Sequence, residues 1–193
     1  MNTLSVKNEQ VNTGSSKRTF VMMLVVFTLP IILAKLALQF KWLNYGVTNK
    51  GQLIEQNITL EQLGIKTQDA KNHWLLIVNL PQDCATHCQQ IMQTVYNTYV
   101  ALGKDKPRSK PLALIPASYT GEQENKLNQQ GWLYSQTTVS ANNQLSTDNV
   151  YIADPLGNIV LSHTIPMQSE GFALFGKQIL ADMKKLLKYS KVG

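Results

Sequence analysis

Sulfur and imidazole side chains are scarce in this chain, with two cysteines and three histidines among 193 residues. His73, His87 and His163 are scattered, so no zinc-ligand cluster forms along the sequence. No Ser/His/Asp arrangement and no glycine-rich phosphate loop is present, which leaves hydrolase and nucleotide-binding readings without support. Internal repeats and low-complexity tracts are also missing. Acidic residues number 12 against 18 Lys and Arg, a formal net charge of +6, but part of the excess sits in the tails. Residues 1–18 carry +2, and Lys184, Lys185, Lys188 and Lys191 face only Asp182 near the other end. Nucleic-acid binding asks for a basic patch interleaved with aromatics or for a reading helix, and neither is found. A composition of 44% hydrophobic and 16% charged residues is that of a folded protein rather than a disordered one. The length allows one domain plus an anchor.

What is present begins with a charge-free run, "TFVMMLVVFTLPIILA" from Thr19 to Ala34, after which apolar character resumes beyond Lys35. A spanning helix needs about 20 apolar residues. Phe20 to Phe40 supplies them if Lys35 snorkels to the interface. Trp42 and Tyr45 then fall where interfacial aromatics belong, and Pro30 is tolerable inside such a helix. Ala34 and Ala37 do not make a small-x-small cleavage pattern, so the segment reads as an uncleaved anchor rather than a signal peptide. The expected layout is a cytoplasmic tail over 1–18, a transmembrane helix over 19–41, a linker with short strands over 42–72 and a folded domain over 73–193. Lys17 and Arg18 favour a cytoplasmic N-terminus. The domain then lies outside the cytoplasm, in a bacterium in the periplasm, anchored to the inner membrane, where two nearby cysteines can oxidise.

In the linker, Leu53-Ile54 and Ile58–Leu60 are the strand seeds. "HWLLIVNL" (His73–Leu80) is a short apolar run suited to a strand buried on both faces, ended by Pro81. Cys88, Ile91, Met92, Val95, Tyr99 and Leu102 step at three and four residues and predict a helix stopping at Gly103. Lys110–Pro116 reads as a second buried strand, and "GEQENKLNQQG" as a short polar helix. Val150–Ala153 and Ile159–Ser162 read as a hairpin around Asp154-Pro155-Leu156-Gly157, with Asp154 supporting the turn. Phe172, Phe175, Ile179, Met183 and Leu186 share one face of a closing amphipathic helix whose lysines complement its dipole. Trp74 and Trp132 read as core anchors. Lys104, Lys106, Arg108 and Lys110 form a basic loop, either a docking patch for an acidic partner or anionic lipid, or a solvated loop. The alternation of strands and helices predicts an α/β domain with a partly parallel sheet.

The two cysteines meet in "PQDCATHC", Pro81–Cys88, where the first buried strand gives way to the first helix. Thiolates are soft ligands that favour Cu(I). Two of them at i and i+4 point the same way and can also approach disulfide distance. Cys84, nearer the helix start, is expected to be exposed and nucleophilic, and Cys88, which begins the apolar stripe, buried and resolving. A structural staple is the third reading, although a five-residue loop removes little chain entropy from the unfolded state. Among the histidines, His163 or His87 could complete a metal site, while His73 opens the cysteine strand at its far end.

These segments carry a family resemblance. The anchor with its central proline, "TNKGQLI" (Thr48–Ile54), "HWLLIVNLPQDCATHC", "ALGKDKPR", "VYIADPLGNIVL" and "ILADMKKLLKYSKVG" follow one another over most of the chain. In that order they resemble membrane-anchored, thioredoxin-like proteins of the Sco/SenC type, and more closely a proteobacterial group found with cytochrome c oxidase assembly factors. The resemblance implies a thioredoxin-like fold after one N-terminal transmembrane helix. It also implies copper, or reducing equivalents, handled by Cys84 and Cys88, and a cytochrome c oxidase subunit or assembly factor as partner. The family's third copper ligand, a histidine before the Asp/Gly-Pro-x-Gly turn, has no counterpart; its place falls near Ser146. The cis-proline that thioredoxin-like oxidoreductases set before the later strand is replaced by Thr147, Asp148 and Asn149. The expectation is an assembly factor for cytochrome c oxidase working through Cys84 and Cys88, by thiol–disulfide exchange or transient Cu(I) handling. The alternative is a non-catalytic, membrane-tethered scaffold with a structural disulfide.

Overall fold

Helix α1, Thr13–Gln39, runs through Pro30 without breaking. The computed structural model to which it belongs describes residues 13–39, 49–65 and 70–190. The chain divides into two units, Met1–Thr48 and Asn49–Gly193. Within α1, Lys17–Ala37 is 21 residues long with a mean hydropathy of 2.4, and none of it is buried by protein. At about 1.5 Å per residue that length matches a hydrocarbon core of about 30 Å. It is the one helix among the described residues long and apolar enough to cross a membrane. The expected interfacial residues Trp42 and Tyr45, most of the N-terminal tail and Lys191 lie outside the described residues.

The second unit is built on a six-stranded mixed sheet. Its strands are β1 (Gln52–Leu53), β2 (Trp74–Asn79), β3 (Ser109–Ile115), β4 (Leu133–Gln136), β5 (Asn149–Ala153) and β6 (Ile159–Thr164), in spatial order β1-β6-β5-β2-β3-β4. β2 is central, parallel to β3 and antiparallel to β5. All six of its residues are buried: the apolar run Trp74–Val78, as covering both faces requires, and Asn79, whose Nδ2 donates to Leu145 O at 2.8 Å. Trp74, Leu76 and Val78 meet Ile91 and Val95 of α2 (Thr86–Val100) and Ile179 and Met183 of α5 (Phe172–Tyr189). Leu75 and Ile77 face the other way, onto Leu63, Leu145 and Tyr151. The sheet is thus covered on both faces, and each fully buried Leu, Ile or Val contributes about 1.5–3 kcal/mol.

The polar helix α3, Gly121–Gln129, begins with a capping box: the Gln123 amide donates to Thr120 Oγ1 and the Thr120 amide donates to Gln123 Oε1. The β5–β6 turn is held by Asp154, whose Oδ1 accepts the amides of Leu156 and Asn158 at 2.9 and 2.8 Å. Gly157 takes a φ of +89°, which a side chain would resist.

Three features depart from the reading of the sequence. β6 extends to Thr164, so His163 lies inside the strand rather than at its end. The basic loop is a 3-10 helix, Gly103–Arg108, and Lys110 belongs to β3. Arg108 donates from Nη1 to Leu187 O and from Nη2 to Ser190 O, both at 2.9 Å, and so caps the C-terminus of α5. Lys106 sits 5.0 Å from the Tyr99 ring centre. Finally, β4 and the short helix α4, Val139–Gln144, occupy a stretch for which the sequence suggested no element.

Candidate thiol–disulfide site

The backbone leaves β2 at Asn79, turns at Pro81 and enters α2 with Ala85 as N-cap. Cys84 therefore lies just before the helix and Cys88 in its first turns. The Cα atoms are 5.1 Å apart and the two sulfurs form a disulfide. Cys88 is 6% exposed, packed with Ile91 and Val95, while Cys84 is half-buried. The helix periodicity causes this asymmetry: Cys88, Ile91 and Val95 share the face turned to the sheet, and Cys84 precedes that face. No side chain caps α2 and no acidic residue stands in its first turn. The positive end of the helix dipole therefore faces the cysteines and favours thiolate over thiol once the pair is reduced, while Asp83, next to Cys84 in sequence, opposes it.

The histidines are distributed differently from the cysteines. His87 is exposed, with its ring edge-on to Phe172 at 5.5 Å. Phe172 in turn meets Phe175 at 6.3 Å, and Phe175 meets His163 at 6.5 Å. Two phenylalanine rings therefore stand between the cysteine loop and His163. His163 is 3% exposed and its Nε2 lies 3.2 Å from Asp182 Oδ2, without hydrogen-bond alignment. Burial pushes its pKa below the ordinary histidine value, and the charge of Asp182 opposes that shift. His73 precedes β2 at the far end, its Nδ1 2.9 Å from Lys71 O. At the position where Sco/SenC-type proteins carry a histidine by sequence resemblance, Ser146 is exposed and its Oγ accepts the Asp148 amide at 3.0 Å. Among the described residues no group of three or more His, Cys, Asp or Glu is arranged to hold a metal ion. The thiol donors are the Cys84–Cys88 pair alone.

The carboxylate beside His163 has a further task that the sequence reading missed. Asp182 is 2% exposed and accepts the amides of Lys50 and Gly51 at 2.8–2.9 Å. It fastens the segment leading into β1 to helix α5, and Lys185 Nζ adds a bond to Asn49 Oδ1 at 3.0 Å. Gly51 passes so close that a Cβ there would stand 2.7 Å from both His163 Nε2 and Ser162 O. One signal was legible: Asp182 is the one charge on the apolar stripe of α5, three residues after Ile179 and seven after Phe175.

A cavity of about 570 Å³ opens beside Cys84, between α2 and α3. Met92, Tyr96 and Trp132 line it together with Tyr119, whose hydroxyl donates to Pro81 O at 3.4 Å. Burial, and secondarily the charge of Asp83, pushes the Tyr119 phenol above its ordinary range.

Known proteins bear on this arrangement. The family model described as transmembrane-like, thioredoxin-like, C-terminal domain matches residues 74–190. Similar solved structures include a SCO1/SenC family lipoprotein from Bacillus anthracis, at 13% identity and a TM-score of 0.46, covering 75% of this chain and 98% of that one. A bacterioferritin comigratory protein from Xanthomonas campestris is 12% identical with a TM-score of 0.44, covering 70% of this chain and 99% of that one. A thiol:disulfide interchange protein from Bacteroides sp. is 14% identical with a TM-score of 0.44, covering 73% and 91%. No curated protein matches the chain.

Proposed function

The chain belongs to the transmembrane-like, thioredoxin-like C-terminal domain family, and from that premise we propose that it is a membrane-anchored thiol–disulfide exchange protein serving cytochrome c oxidase biogenesis. The observation that carries the exchange reading is the asymmetric disulfide: half-open Cys84 bonded to buried Cys88 at an uncapped helix start. An attacking thiolate reaches Cys84, and Cys88 leaves as a thiolate next to the positive helix end. The assignment to oxidase biogenesis rests on the order of sequence segments that resemble Sco/SenC-type proteins. The anchor is α1. Lys17 and Arg18 favour a cytoplasmic N-terminus, which puts the domain on the periplasmic side of the inner membrane, where a disulfide persists.

Cu(I) enters this account as cargo. The reduced pair offers two soft thiolates, a set that suits Cu(I). Against a place for His163 in that set stands its burial beside Asp182, behind Phe175 and Phe172. His87, exposed and next to Cys88 in sequence, is the imidazole nearest the pair along the chain.

The test is made in cells with Cys84→Ser and Cys88→Ser chains at wild-type abundance. Loss of assembled cytochrome c oxidase in both is the expected result. Normal assembly in both removes the cysteine mechanism and leaves a tethered scaffold.

A further inference from the structure

The basic run of the sequence and the lysines of α5 meet at one pole of the domain. α2 and α5 both start beside the cysteine loop, where Phe172 meets His87. Both end at the 3-10 helix, which follows α2 and whose Arg108 caps α5. Four cations in residues 101–110 and three in residues 183–190 face a single carboxylate, Asp105. Exposed Asp83 and Glu170 stand instead just before the starts of the two helices. Charge is therefore polarised along the helices, negative toward the cysteines and positive at the far ends.

Lysines at a helix end commonly serve the helix dipole. Here Arg108 already meets the carbonyls of Leu187 and Ser190. Lys104, Lys184 and Lys188 are exposed, and among the described residues no carboxylate pairs with them. Tyr189 is 72% exposed, with Lys188 Nζ 5.5 Å from its ring centre, and Val100 at the end of α2 is 46% exposed. Cations around an amphipathic tyrosine are the make-up of a face that meets a lipid surface. The same helix holds the chain that arrives from the anchor: Lys185 bonds Asn49, and Asp182 accepts the Lys50 amide. Nine residues, 40–48, join Gln39 of α1 to Asn49, so the chain reaches at most about 35 Å beyond the anchor. A bilayer surface thus stays within reach of these cations.

We infer that the 3-10 helix and the last turns of α5 form a docking face for the anionic lipid headgroups of the membrane that α1 anchors. Lys104, Lys184 and Lys188 meet the phosphates, and Tyr189 sits at the interface. The inference rests on α1 as the anchor and does not draw on the exchange reading. The cysteine loop lies at the other end of α5, whose 18 residues span about 27 Å. A domain docked by this pole presents its disulfide away from the bilayer.

The test uses the full chain in nanodiscs of phosphatidylcholine alone and of equal parts phosphatidylcholine and phosphatidylglycerol. Lysines are acetylated with limiting sulfo-N-hydroxysuccinimide acetate and the rate at each is read by mass spectrometry. Exposed Lys126, on α3, is the internal reference. Lys104, Lys184 and Lys188 are expected to react at least about threefold more slowly, relative to Lys126, in the anionic discs. The difference is expected to vanish at about 1 M salt, where the screening length falls to about 3 Å. A chain carrying both Lys104→Gln and Lys184→Gln, two exposed positions whose exchange leaves the core untouched, is expected to lose the protection at Lys188. Equal relative rates in the two discs, or unchanged protection at Lys188 in that variant, overturns the face. A short polyglutamate that protects the three lysines in neutral discs, where anionic lipid fails to, overturns the lipid assignment in favour of an acidic polypeptide.

Discussion

His163 and Asp182 form a buried pair, 3.2 Å apart between Nε2 and Oδ2, that closes over the backbone of Lys50 and Gly51. The histidine that the sequence offered as a metal ligand is thus built into the seam between the incoming segment and the domain. A charge placed on a helix face that is otherwise apolar is costly unless its bonds are met, and here three backbone bonds to two amides meet them.

Replacing Asp182 with Ala removes the acceptor for both amides and leaves that of Gly51 buried without a partner. The expected loss is about 1–3 kcal/mol for unsatisfied buried groups. Denaturant unfolding measures it, and amide hydrogen exchange at Lys50 and Gly51 should rise above that of β2 and β3. Unchanged protection at those two amides would show that Asp182 does not hold the segment.

Gly51→Ala tests the close approach. The new Cβ meets Ser162 O at 2.7 Å, and a backbone oxygen paired in the sheet cannot yield as a flexible side-chain tip does. A destabilisation of about 1–3 kcal/mol is expected, in the range of overpacking substitutions. A neutral thermal melt would mean the seam opens without cost.

Stability should fall with acid below the ordinary histidine range. The His163 pKa is lowered in the folded state by burial. The unfolded chain therefore takes up the proton first as pH drops. The contribution of neutral His163 is fully present above about pH 6.5, the unfolded value, and is lost as pH falls toward the folded one. His163→Gln should flatten this part of the stability curve. An unaltered slope between about pH 7 and pH 5 would assign the effect to other groups.

Arg108→Ala should cost about 1–3 kcal/mol, because it frees the carbonyls of Leu187 and Ser190 at the end of α5. The measurement is the unfolding midpoint together with hydrogen exchange in the last turn of α5. Lys104→Ala, on an exposed residue of the same basic run, should leave both unchanged.

The sequence carried most of the fold where periodicity was strong. β2, α2, β3, the β5–β6 hairpin and α5 follow from apolar runs and three-four spacing. β4 and α4 did not show, because "LYSQ" mixes polar and apolar residues on a half-buried edge and α4 has only six residues. Their stability comes from packing, as with Ala141 and Leu145 against the second core, which a local pattern does not encode. At the site, the unequal exposure of Cys84 and Cys88 was legible from the helix stripe. The fate of His163 was not: it depends on a carboxylate 19 positions later and a glycine in the linker, contacts set by tertiary packing alone.

The central claim is that Cys84–Cys88 is an exchanging couple rather than a staple, and its reduction potential tests this most directly. The full chain in micelles is equilibrated across glutathione redox buffers and the fraction reduced is read by thiol alkylation. The account predicts a potential between roughly −120 and −270 mV, the span of exchange-active pairs. A value below about −300 mV, where structural disulfides of exported proteins lie, would contradict it.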